Sequence, residues 1–209
     1  MAATTEDVPK LTYFNIRGLA ETARLLFAAA GVKYEDVRLT SIADLKASGK
    51  LPYGQVPILE THGQVIAQSS AINRYIAREH GLYGANSLEA ARIDMIYEGI
   101  NDIRAKYNAA RNAPEDKKEE EAKKFEADVL RPQLAFLEKI LVQNDGGDGW
   151  FVGKKISLAD VYFQNFAFSL KPLFPGLFEN TPKLAALYER ASNYPGIAEW
   201  IKKRPETAS

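Results

Sequence analysis

The chain contains 209 residues, of which 46% are hydrophobic and 26% charged, a composition typical of soluble globular proteins. Its 27 lysine and arginine residues are matched by 27 acidic residues, which argues against a general polyanion-binding surface and against nucleic acid as a partner. The absence of cysteine excludes disulfide bonds, thiolate-bound zinc and a cysteine nucleophile. Any thiol chemistry must therefore use a thiol that arrives with the substrate.

The sequence shows no targeting or membrane signal. Its first ten residues lack the apolar core of a signal peptide. Its apolar runs are far shorter than the ~20 residues that a helix needs to cross a bilayer. We therefore expect a cytoplasmic protein that does not associate with a membrane.

The first predicted element is an apolar strand at 11–14, which leads into a turn at Gly18. The helix that follows has apolar residues at helical spacing and can end at Gly31. A helix N-terminus reached from such a turn is a suitable place for a thiolate or another anion, because its free N–H groups and its dipole favour negative charge. Tyr13, near the end of the strand, has its hydroxyl within reach of that place.

Further elements are predicted up to residue 79. We expect a strand at 33–39, a short helix at 41–47, a hairpin of residues 58–59 and 65–67 around a turn at 61–64, and a helix at 71–79. Gln68 and Ser69 precede the last of these helices as capping residues. The alternation of strands and helices, closed by a hairpin and a helix, is typical of a thioredoxin-like α/β domain.

The remaining sequence predicts helices, after a linker with two glycines at 81–86. Apolar residues recur at three- and four-residue steps over 93–107 and again over 125–141. Pro132 is expected to bend the second of these helices. The charged run between them, 115–124, is predicted to be a solvated helix start or loop.

A capping box opens a further apolar helix near the C-terminal end. Ser157 and Asp160 have the spacing at which each side chain satisfies a backbone N–H of the other residue. Another helix is predicted to begin at 181–182. The chain is therefore predicted to form two domains, an α/β domain over 1–82 and an all-helical domain over 83–209.

Residues 10–21, KLTYFNIRGLAE, resemble the first strand and turn of the glutathione transferases, most closely those of the sigma class. The resemblance extends over essentially the whole chain. It implies the glutathione transferase fold, a thioredoxin-like N-terminal domain followed by an all-α C-terminal domain. It also implies a homodimeric enzyme that conjugates the glutathione thiolate to small hydrophobic electrophiles.

The resemblance assigns Tyr13 the catalytic role, and an energy comparison supports it. A free thiol has a pKa near ~8.5, and lowering it by about two units requires about 2.7 kcal/mol of preferential thiolate stabilisation. A hydrogen bond to a charged group contributes roughly 1.5–3 kcal/mol, and a nearby helix N-terminus up to about 2 kcal/mol. A donated hydroxyl with oriented backbone is therefore sufficient. The alternative is a tyrosine whose ring packs in the core and whose hydroxyl meets water.

The resemblance places the peptide part of glutathione against Gln55, Val56 and Pro57. In the family this proline is cis, and the residue before it pairs with the cysteinyl backbone of glutathione in a strand-like way. The γ-glutamyl carboxylate is placed at Gln68 and Ser69, at a helix N-terminus with free N–H groups. Capping of its own helix by Ser69 is an alternative that is compatible with this role.

The resemblance also assigns residues to the charged groups at the two ends of the tripeptide. Asp102 matches an acidic residue that the second subunit brings to the γ-glutamyl ammonium, with a solvated helix aspartate as the alternative. Lys46 is assigned to the glycine carboxylate, with Lys50 in reserve. Ile42 stands where the family has a tryptophan, and the loop that follows Lys46 is longer, so this end of the site departs from the family pattern.

Charged residues also surround the turn after the first strand. Arg17 and Glu21 are predicted to form a local ion pair or to interact with the helix dipole. Many sigma-class sequences carry a basic residue at the position of Leu19. The presence of leucine instead of a basic residue at this position would weaken activation of the thiol or alter product specificity.

The resemblance implies two further contact surfaces. The electrophile is expected to lie against Phe14 and against Ile103, Arg104 and Tyr107 of the first long helix. Tyr53 is expected to insert into the partner subunit, where a buried aromatic anchor can dominate an interface. The alternative for Tyr53 is an exposed or intrasubunit side chain.

No metal is expected to be required. His62 and His80 lack metal-ligand spacing and are predicted to be surface residues. Some relatives bind a divalent ion near the dimer interface, where this chain offers the weaker set Glu98, Asn101 and Asp102.

Two other functions remain open at this point. The same thiolate serves isomerases and peroxidases, as in the prostaglandin D synthases of this class. Sigma-class relatives also serve as lens crystallins, and others bind hydrophobic ligands passively. The presence of Tyr13 argues against a purely structural role, because such a role makes no demand for a hydroxyl there.

Overall fold

A computed structural model describes residues 8–207 of the chain. Within that range the chain divides into two compact units, residues 8–80 with 194–207 and residues 81–193. The first seven residues, on which most of the signal-peptide expectation rests, lie outside the described range. Among the described helices, none is both long enough and apolar enough to span a bilayer.

The regular elements are numbered in chain order. The strands are β1 (Lys10–Phe14), β2 (Glu35–Leu39), β3 (Ile58–Thr61) and β4 (Gln64–Ala67). The helices are α1 (Glu21–Ala30), α2 (Ala43–Ala47), α3 (Ser69–Glu79), α4 (Ser87–Arg111), α5 (Lys118–Phe125), α6 (Arg131–Val142), α7 (Leu158–Leu170), α8 (Pro182–Ser192) and α9 (Pro195–Lys203). Short 3-10 turns lie at Gly18–Ala20, Glu115–Lys117 and Asp145–Gly147, and a π-helical turn lies at Glu126–Leu130.

The strands of the first unit form one mixed sheet in the order β2-β1-β3-β4. Strand β1 is parallel to β2, with Tyr13 opposite Arg38, and antiparallel to β3, with Thr12 opposite Ile58. Strands β3 and β4 form the predicted hairpin. Together with α1 and α3, which pack against each other, this sheet is the expected thioredoxin-like domain.

Hydrogen bonds explain where two elements begin. Strand β2 starts two residues later than predicted, where the Glu35 N–H bonds to the Pro9 carbonyl at 2.8 Å. Helix α2 starts after Ser41, because the Ser41 hydroxyl accepts the N–H of Ala43 at 3.2 Å. Helix α1 ends as predicted at Gly31, which has a left-handed φ of 66°.

The C-terminal helix α9 belongs to the first unit, where it packs on α1. The two helices approach closely at Gly196, since a Cβ added there would lie 1.8 Å from the carbonyl oxygen of Ala28. This division differs from the predicted domain limits, which assigned all residues after 82 to the helical domain. The difference arises because α9 is helical in sequence pattern but packs against the α/β unit.

The second unit is all-helical. Residues 158–167 of α7 are buried, and α7 packs on both α4 and α8. The predicted capping box is present, with Asp160 Oδ2 accepting both the N–H and the hydroxyl of Ser157 at 2.8 Å. A π-helical turn lies at Glu126–Leu130, just before Pro132, the residue predicted to bend this helix. Proline has no N–H to continue the helical ladder, so the preceding turn widens.

Candidate active site

The hydroxyl of Tyr13 lies at the turn between β1 and α1. The side chain is 7% exposed, and its oxygen accepts the backbone N–H of Leu19 with an N–O distance of 3.3 Å. Leu19 belongs to the 3-10 turn that leads directly into α1, where backbone N–H groups lack intrahelical acceptors. Because the oxygen accepts this bond, the hydroxyl proton remains available for donation to a second group.

Gly18 makes this geometry possible. Its φ of 42° is one that residues with a side chain rarely adopt. A Cβ at this position would lie 2.8 Å from the Tyr13 hydroxyl oxygen. The turn therefore needs glycine both for its backbone conformation and for its contact with Tyr13.

Glu21 lies in the first turn of α1, as its predicted interaction with the helix dipole requires, and it also forms ion pairs. Glu21 is buried in the first turn of α1 and pairs with Arg24 and with Arg204. Arg24 also donates to the carbonyl oxygens of Ile16 and Arg17, at 2.8 and 3.4 Å. The backbone between β1 and the turn is thus held by a buried guanidinium.

The Val56–Pro57 peptide bond is cis, as the family resemblance predicted. Both residues are buried, and they immediately precede β3, whereas Gln55 is exposed. The assignment of all three residues to glutathione binding stays a prediction.

Helix α3 begins at Ser69, directly after Gln68, which has an unusual φ of 72° and ψ of 116°. The N-cap is Gln68 rather than Ser69, and the Gln68 side chain makes no capping hydrogen bond. A positive φ at a non-glycine residue is unfavourable by about 1–3 kcal/mol and is found preferentially at functional sites. The observed conformation leaves the first N–H groups of α3 without a side-chain cap from Gln68, which suits an anion such as a carboxylate.

Lys46 and Lys50 are both exposed, Lys46 in the last turn of α2 and Lys50 in the loop that follows it. Tyr53 is 68% exposed in the single chain, as both a contact with a partner subunit and the exposed alternative require. Its predicted contact with a partner subunit, and the choice between the two lysines, stay predictions.

Residues predicted to contact the electrophile differ in accessibility. Phe14 is half-buried, with its ring edge-on to Tyr13 at 5.6 Å between centroids. Arg104, on α4, donates to the Tyr162 hydroxyl at 3.0 Å, and Tyr107 packs against Phe125 at 5.5 Å.

Ile103 and Asp102, neighbours on α4, differ in how much of the side chain is exposed. Ile103 is 1% exposed and so offers a ligand almost no surface, unlike the half-buried Arg104 and Tyr107. Asp102 is exposed, consistent with either of its two interpretations.

Among residues 8–207, no group of three or more histidine, cysteine or acidic side chains is placed to hold a metal ion. In the weaker set considered from sequence, Asn101 donates to Glu98 at 3.0 Å. His62 is exposed as predicted, but His80 is half-buried, with its ring 6.2 Å from that of Phe27. His80 was predicted to be a surface residue, and its packing against α1 explains the difference.

Sequence reasoning did not identify Arg24, Trp200 or Arg204 as residues that support the turn. The pairing of Arg24 with Glu21 could have been predicted, because the two residues are separated by one helical turn. Trp200 and Arg204 lie 179 and 183 positions from Glu21, and no local pattern links them to it.

Two known domain families match the chain. The domain family described as "Glutathione S-transferase, N-terminal domain" matches residues 9–78. The family described as "Glutathione S-transferase, C-terminal domain" matches residues 101–204.

Individual relatives match along nearly their whole length. Hematopoietic prostaglandin D synthase of Gallus gallus is 42% identical, over 95% of this chain and 98% of the relative. S-crystallin SL11 of Nototodarus sloanii is 40% identical, over 95% of this chain and 97% of the relative. The crystal structure of the glutathione S-transferase from Ascaris lumbricoides superimposes with a TM-score of 0.87 at 37% identity, covering 96% of this chain and 98% of that one. The chain therefore belongs to the glutathione S-transferase family, whose members use glutathione as a co-substrate.

Proposed function

We propose that this enzyme conjugates the thiolate of glutathione to small hydrophobic electrophiles and that the Tyr13 hydroxyl stabilises the thiolate by donating a hydrogen bond to it. The observation that carries the proposal is the hydrogen bond from the Leu19 N–H to the Tyr13 oxygen, 3.3 Å long, at the turn that opens α1. That bond fixes the hydroxyl and leaves its proton free to donate. The thiolate sulfur then attacks the electrophilic carbon, a carbon–sulfur bond forms, and the leaving group departs with its electron pair.

The energy required is within the range that this arrangement supplies. Lowering the thiol pKa by about two units takes about 2.7 kcal/mol. One hydrogen bond to the charged sulfur contributes roughly 1.5–3 kcal/mol. The N–H groups at the start of α1 add to it, because a partly buried helix N-terminus stabilises an anion by up to about 2 kcal/mol.

Glutathione itself is proposed to bind across the first unit. Gln55 and Val56, before Pro57, would align its peptide, and the N-terminal turn of α3 at Gln68 and Ser69 would hold the γ-glutamyl carboxylate. The positive φ of Gln68 supports this assignment, since that conformation presents the first backbone N–H groups of a helix.

The remaining assignments complete this proposal. We assign the glycine carboxylate to Lys46, with Lys50 in reserve, and propose a cytoplasmic, sigma-class homodimer. In the dimer, Asp102 of one subunit would meet the γ-glutamyl ammonium bound to the other, and Tyr53 would contact the partner. The electrophile would contact Phe14, Arg104 and Tyr107, and no metal ion is required by this scheme.

A rate comparison between two tyrosine-to-phenylalanine variants tests the role of Tyr13. Tyr13→Phe removes the proposed donor, and Tyr34→Phe removes another largely buried hydroxyl of the same unit. With a chromogenic aryl halide as electrophile, Tyr13→Phe should lower kcat/KM by about tenfold to a hundredfold, equivalent to about 1.4–2.7 kcal/mol of lost thiolate stabilisation. Tyr34→Phe should leave kcat/KM unchanged. Equal rates for wild type and Tyr13→Phe would contradict the proposal.

Isomerisation is a second candidate, because a relative that is 42% identical is named a prostaglandin D synthase. The two reactions differ in stoichiometry. Conjugation consumes one glutathione per turnover, whereas isomerisation returns it unchanged. Measuring glutathione loss against product formed distinguishes the two, and the proposed conjugation requires a ratio near one. A passive, crystallin-like binder would show no turnover with any electrophile.

A further inference from the structure

Two side chains of the C-terminal helix region meet one carboxylate oxygen of Glu21. The indole N–H of Trp200 donates to Glu21 Oε1 at 2.9 Å, and Arg204 donates to the same oxygen at 2.7 Å. Trp200 lies within α9, and Arg204 directly follows it. The first turn of α1 is therefore bound to the end of the chain by charge-assisted hydrogen bonds, which are stronger than neutral ones.

The other oxygen of Glu21 continues this contact toward the turn. Glu21 Oε2 accepts from Arg24 at 3.3 Å, and the same Arg24 nitrogen donates to the carbonyl oxygens of Ile16 and Arg17. These two residues immediately precede Gly18 and Leu19, which touch the Tyr13 hydroxyl. A continuous set of hydrogen bonds thus runs from Trp200 and Arg204 to the turn that contacts Tyr13.

A second ion pair fixes Arg24 from the strand side. Its Nε donates to Asp36 on β2 at 3.1 Å, and Asp36 also accepts from Arg38 at 2.9 Å. Arg38 in turn donates to Asn15, the first residue after β1, at 3.0 Å. The segment between β1 and the turn is therefore held from both ends.

Burial makes this set of contacts sensitive to the loss of any one partner. Glu21 is 1% exposed and Arg24 is fully buried. A buried charge that loses a partner is left uncompensated, and its surroundings must rearrange to satisfy it. Removing the donors of α9 would therefore alter how Glu21 holds Arg24, and Arg24 is the group that binds the carbonyls of the turn.

The approach of α9 to α1 is fixed by backbone contact. A Cβ at Gly196 would lie 1.8 Å from the Ala28 carbonyl oxygen, so the two helices pack more closely than any other residue at 196 would allow. This contact sets the distance from which Trp200 and Arg204 reach Glu21.

We infer that Trp200 and Arg204 are positioning residues for Tyr13, acting through Glu21 and Arg24 on the turn that supplies the Leu19 N–H. The inference rests on the proposed role of Tyr13 in stabilising the thiolate. It extends that role to a helix at the far end of the chain, whose side chains keep the hydroxyl oriented without touching glutathione.

The test uses substitutions that preserve bulk. Trp200→Phe keeps an aromatic ring and removes the N–H donor, and Arg204→Met keeps the length of the side chain and removes its charge. Trp150→Phe, at the other tryptophan of the chain, and Lys203→Met, at an exposed neighbour of Arg204, are the matched controls. Each full-length variant is checked for folding by circular dichroism and urea unfolding, and the pKa of the glutathione thiol is measured in the complex.

We expect Trp200→Phe and Arg204→Met each to raise the thiol pKa by about 0.5 to 1 and to lower kcat/KM below that pKa by about threefold to tenfold, since one pKa unit is a tenfold change in thiolate. The glutathione Kd at acidic pH, where the thiol is protonated, should remain unchanged. Arg204→Lys, which keeps the positive charge, should have a thiol pKa and a kcat/KM close to those of wild type. The control variants should match wild type.

Combination with Tyr13→Phe separates positioning from general destabilisation. If α9 acts through Tyr13, Trp200→Phe has no further effect on the thiol pKa in a Tyr13→Phe background. An equal effect in both backgrounds would overturn the inference. The inference would also be overturned if wild type lowers the thiol pKa and neither Trp200→Phe nor Arg204→Met raises it. If one of these two variants fails to fold, the other decides. A wild-type thiol with no pKa shift would instead contradict the proposed function, and this inference with it.

Discussion

Gly18 lies directly against the hydroxyl of Tyr13, so closely that a Cβ at this glycine would be 2.8 Å from the phenolic oxygen. The glycine also has a φ of 42°. The Tyr13 side chain and the backbone of the turn are therefore packed closely against each other. A larger residue at position 18 should therefore displace the Tyr13 side chain.

Gly18→Ala is expected to impair both stability and thiol activation. The positive φ should lower the free energy of unfolding by about 1–2 kcal/mol. The added methyl group should displace the Tyr13 hydroxyl and lower kcat/KM. Gly31→Ala is the matched control, because Gly31 has a φ of 66° but nothing within 4 Å of the position that a methyl group would take. It should show the loss of stability without the loss of kcat/KM, and equal kinetic effects in the two variants would contradict the contact.

Gly196→Ala is expected to separate α9 from α1. The new methyl group would overlap the Ala28 carbonyl oxygen, and overpacking of this kind lowers stability by about 1–3 kcal/mol. Gly99→Ala, in the interior of α4, meets no atom within 4 Å and should instead raise stability by up to about 1 kcal/mol through helix propensity. Urea unfolding of both variants checks the prediction, which fails if the two substitutions shift the midpoint in the same direction.

Asp160 should make stability depend on pH between about 4 and 6. Burial raises the pKa of this carboxyl group from its ordinary value of 3.8 to about 6. The folded state therefore binds more protons than the unfolded state in this window, so the contribution of Asp160 to stability is complete below 3.8 and is lost as the pH rises through about 6. The loss amounts to up to about 3 kcal/mol.

Asp160→Asn tests that expectation. Its side chain has one acceptor oxygen, whereas Asp160 accepts from Phe151 and twice from Ser157, so at a pH below 3.8 the variant should be less stable than wild type by about 2 kcal/mol. The difference in unfolding free energy between wild type and variant should shrink as the pH rises, because only the wild type has the titrating group. Parallel pH profiles for wild type and variant would show that Asp160 does not titrate in this window.

Tyr34→Phe is expected to leave stability unchanged or to raise it by up to about 1 kcal/mol. The Tyr34 hydroxyl is buried without a hydrogen-bond partner among residues 8–207, and its ring stacks on Phe27 at 4.4 Å between centroids. Tyr162→Phe is the contrasting variant, because that hydroxyl accepts from Arg104 and donates to Asn101. It should lower the unfolding free energy by about 1 kcal/mol. A larger loss for Tyr34→Phe than for Tyr162→Phe would contradict this account.

The local features of the fold were predictable because the information for each lies within a few residues. The turn glycine Gly18, the hairpin of β3 and β4, and the capping box of Ser157 and Asp160 all follow from short patterns. The cis bond at Pro57 was predicted only through the family resemblance, since spacing alone does not determine an isomer.

The features missed from sequence depend on contacts between distant parts of the chain. The pattern of α9 shows an amphipathic helix but not that its apolar face packs on α1. Likewise, the position of Glu21 in the sequence is typical of a solvated residue at a helix start, and only the fold brings Trp200 and Arg204 to it. The burial of a glutamate can be predicted only when its charge partners are known, and the partners of Glu21 at the end of the chain are not among its sequence neighbours.

The most direct test of the central claim is a titration of the glutathione thiol in the complex, following thiolate absorbance with pH in wild type and in Tyr13→Phe. The account predicts that wild type lowers the thiol pKa by about two units from its free value near ~8.5 and that Tyr13→Phe restores most of that value. A thiol pKa that is unshifted in wild type, or equally shifted in both proteins, would show that the Tyr13 hydroxyl does not stabilise the thiolate.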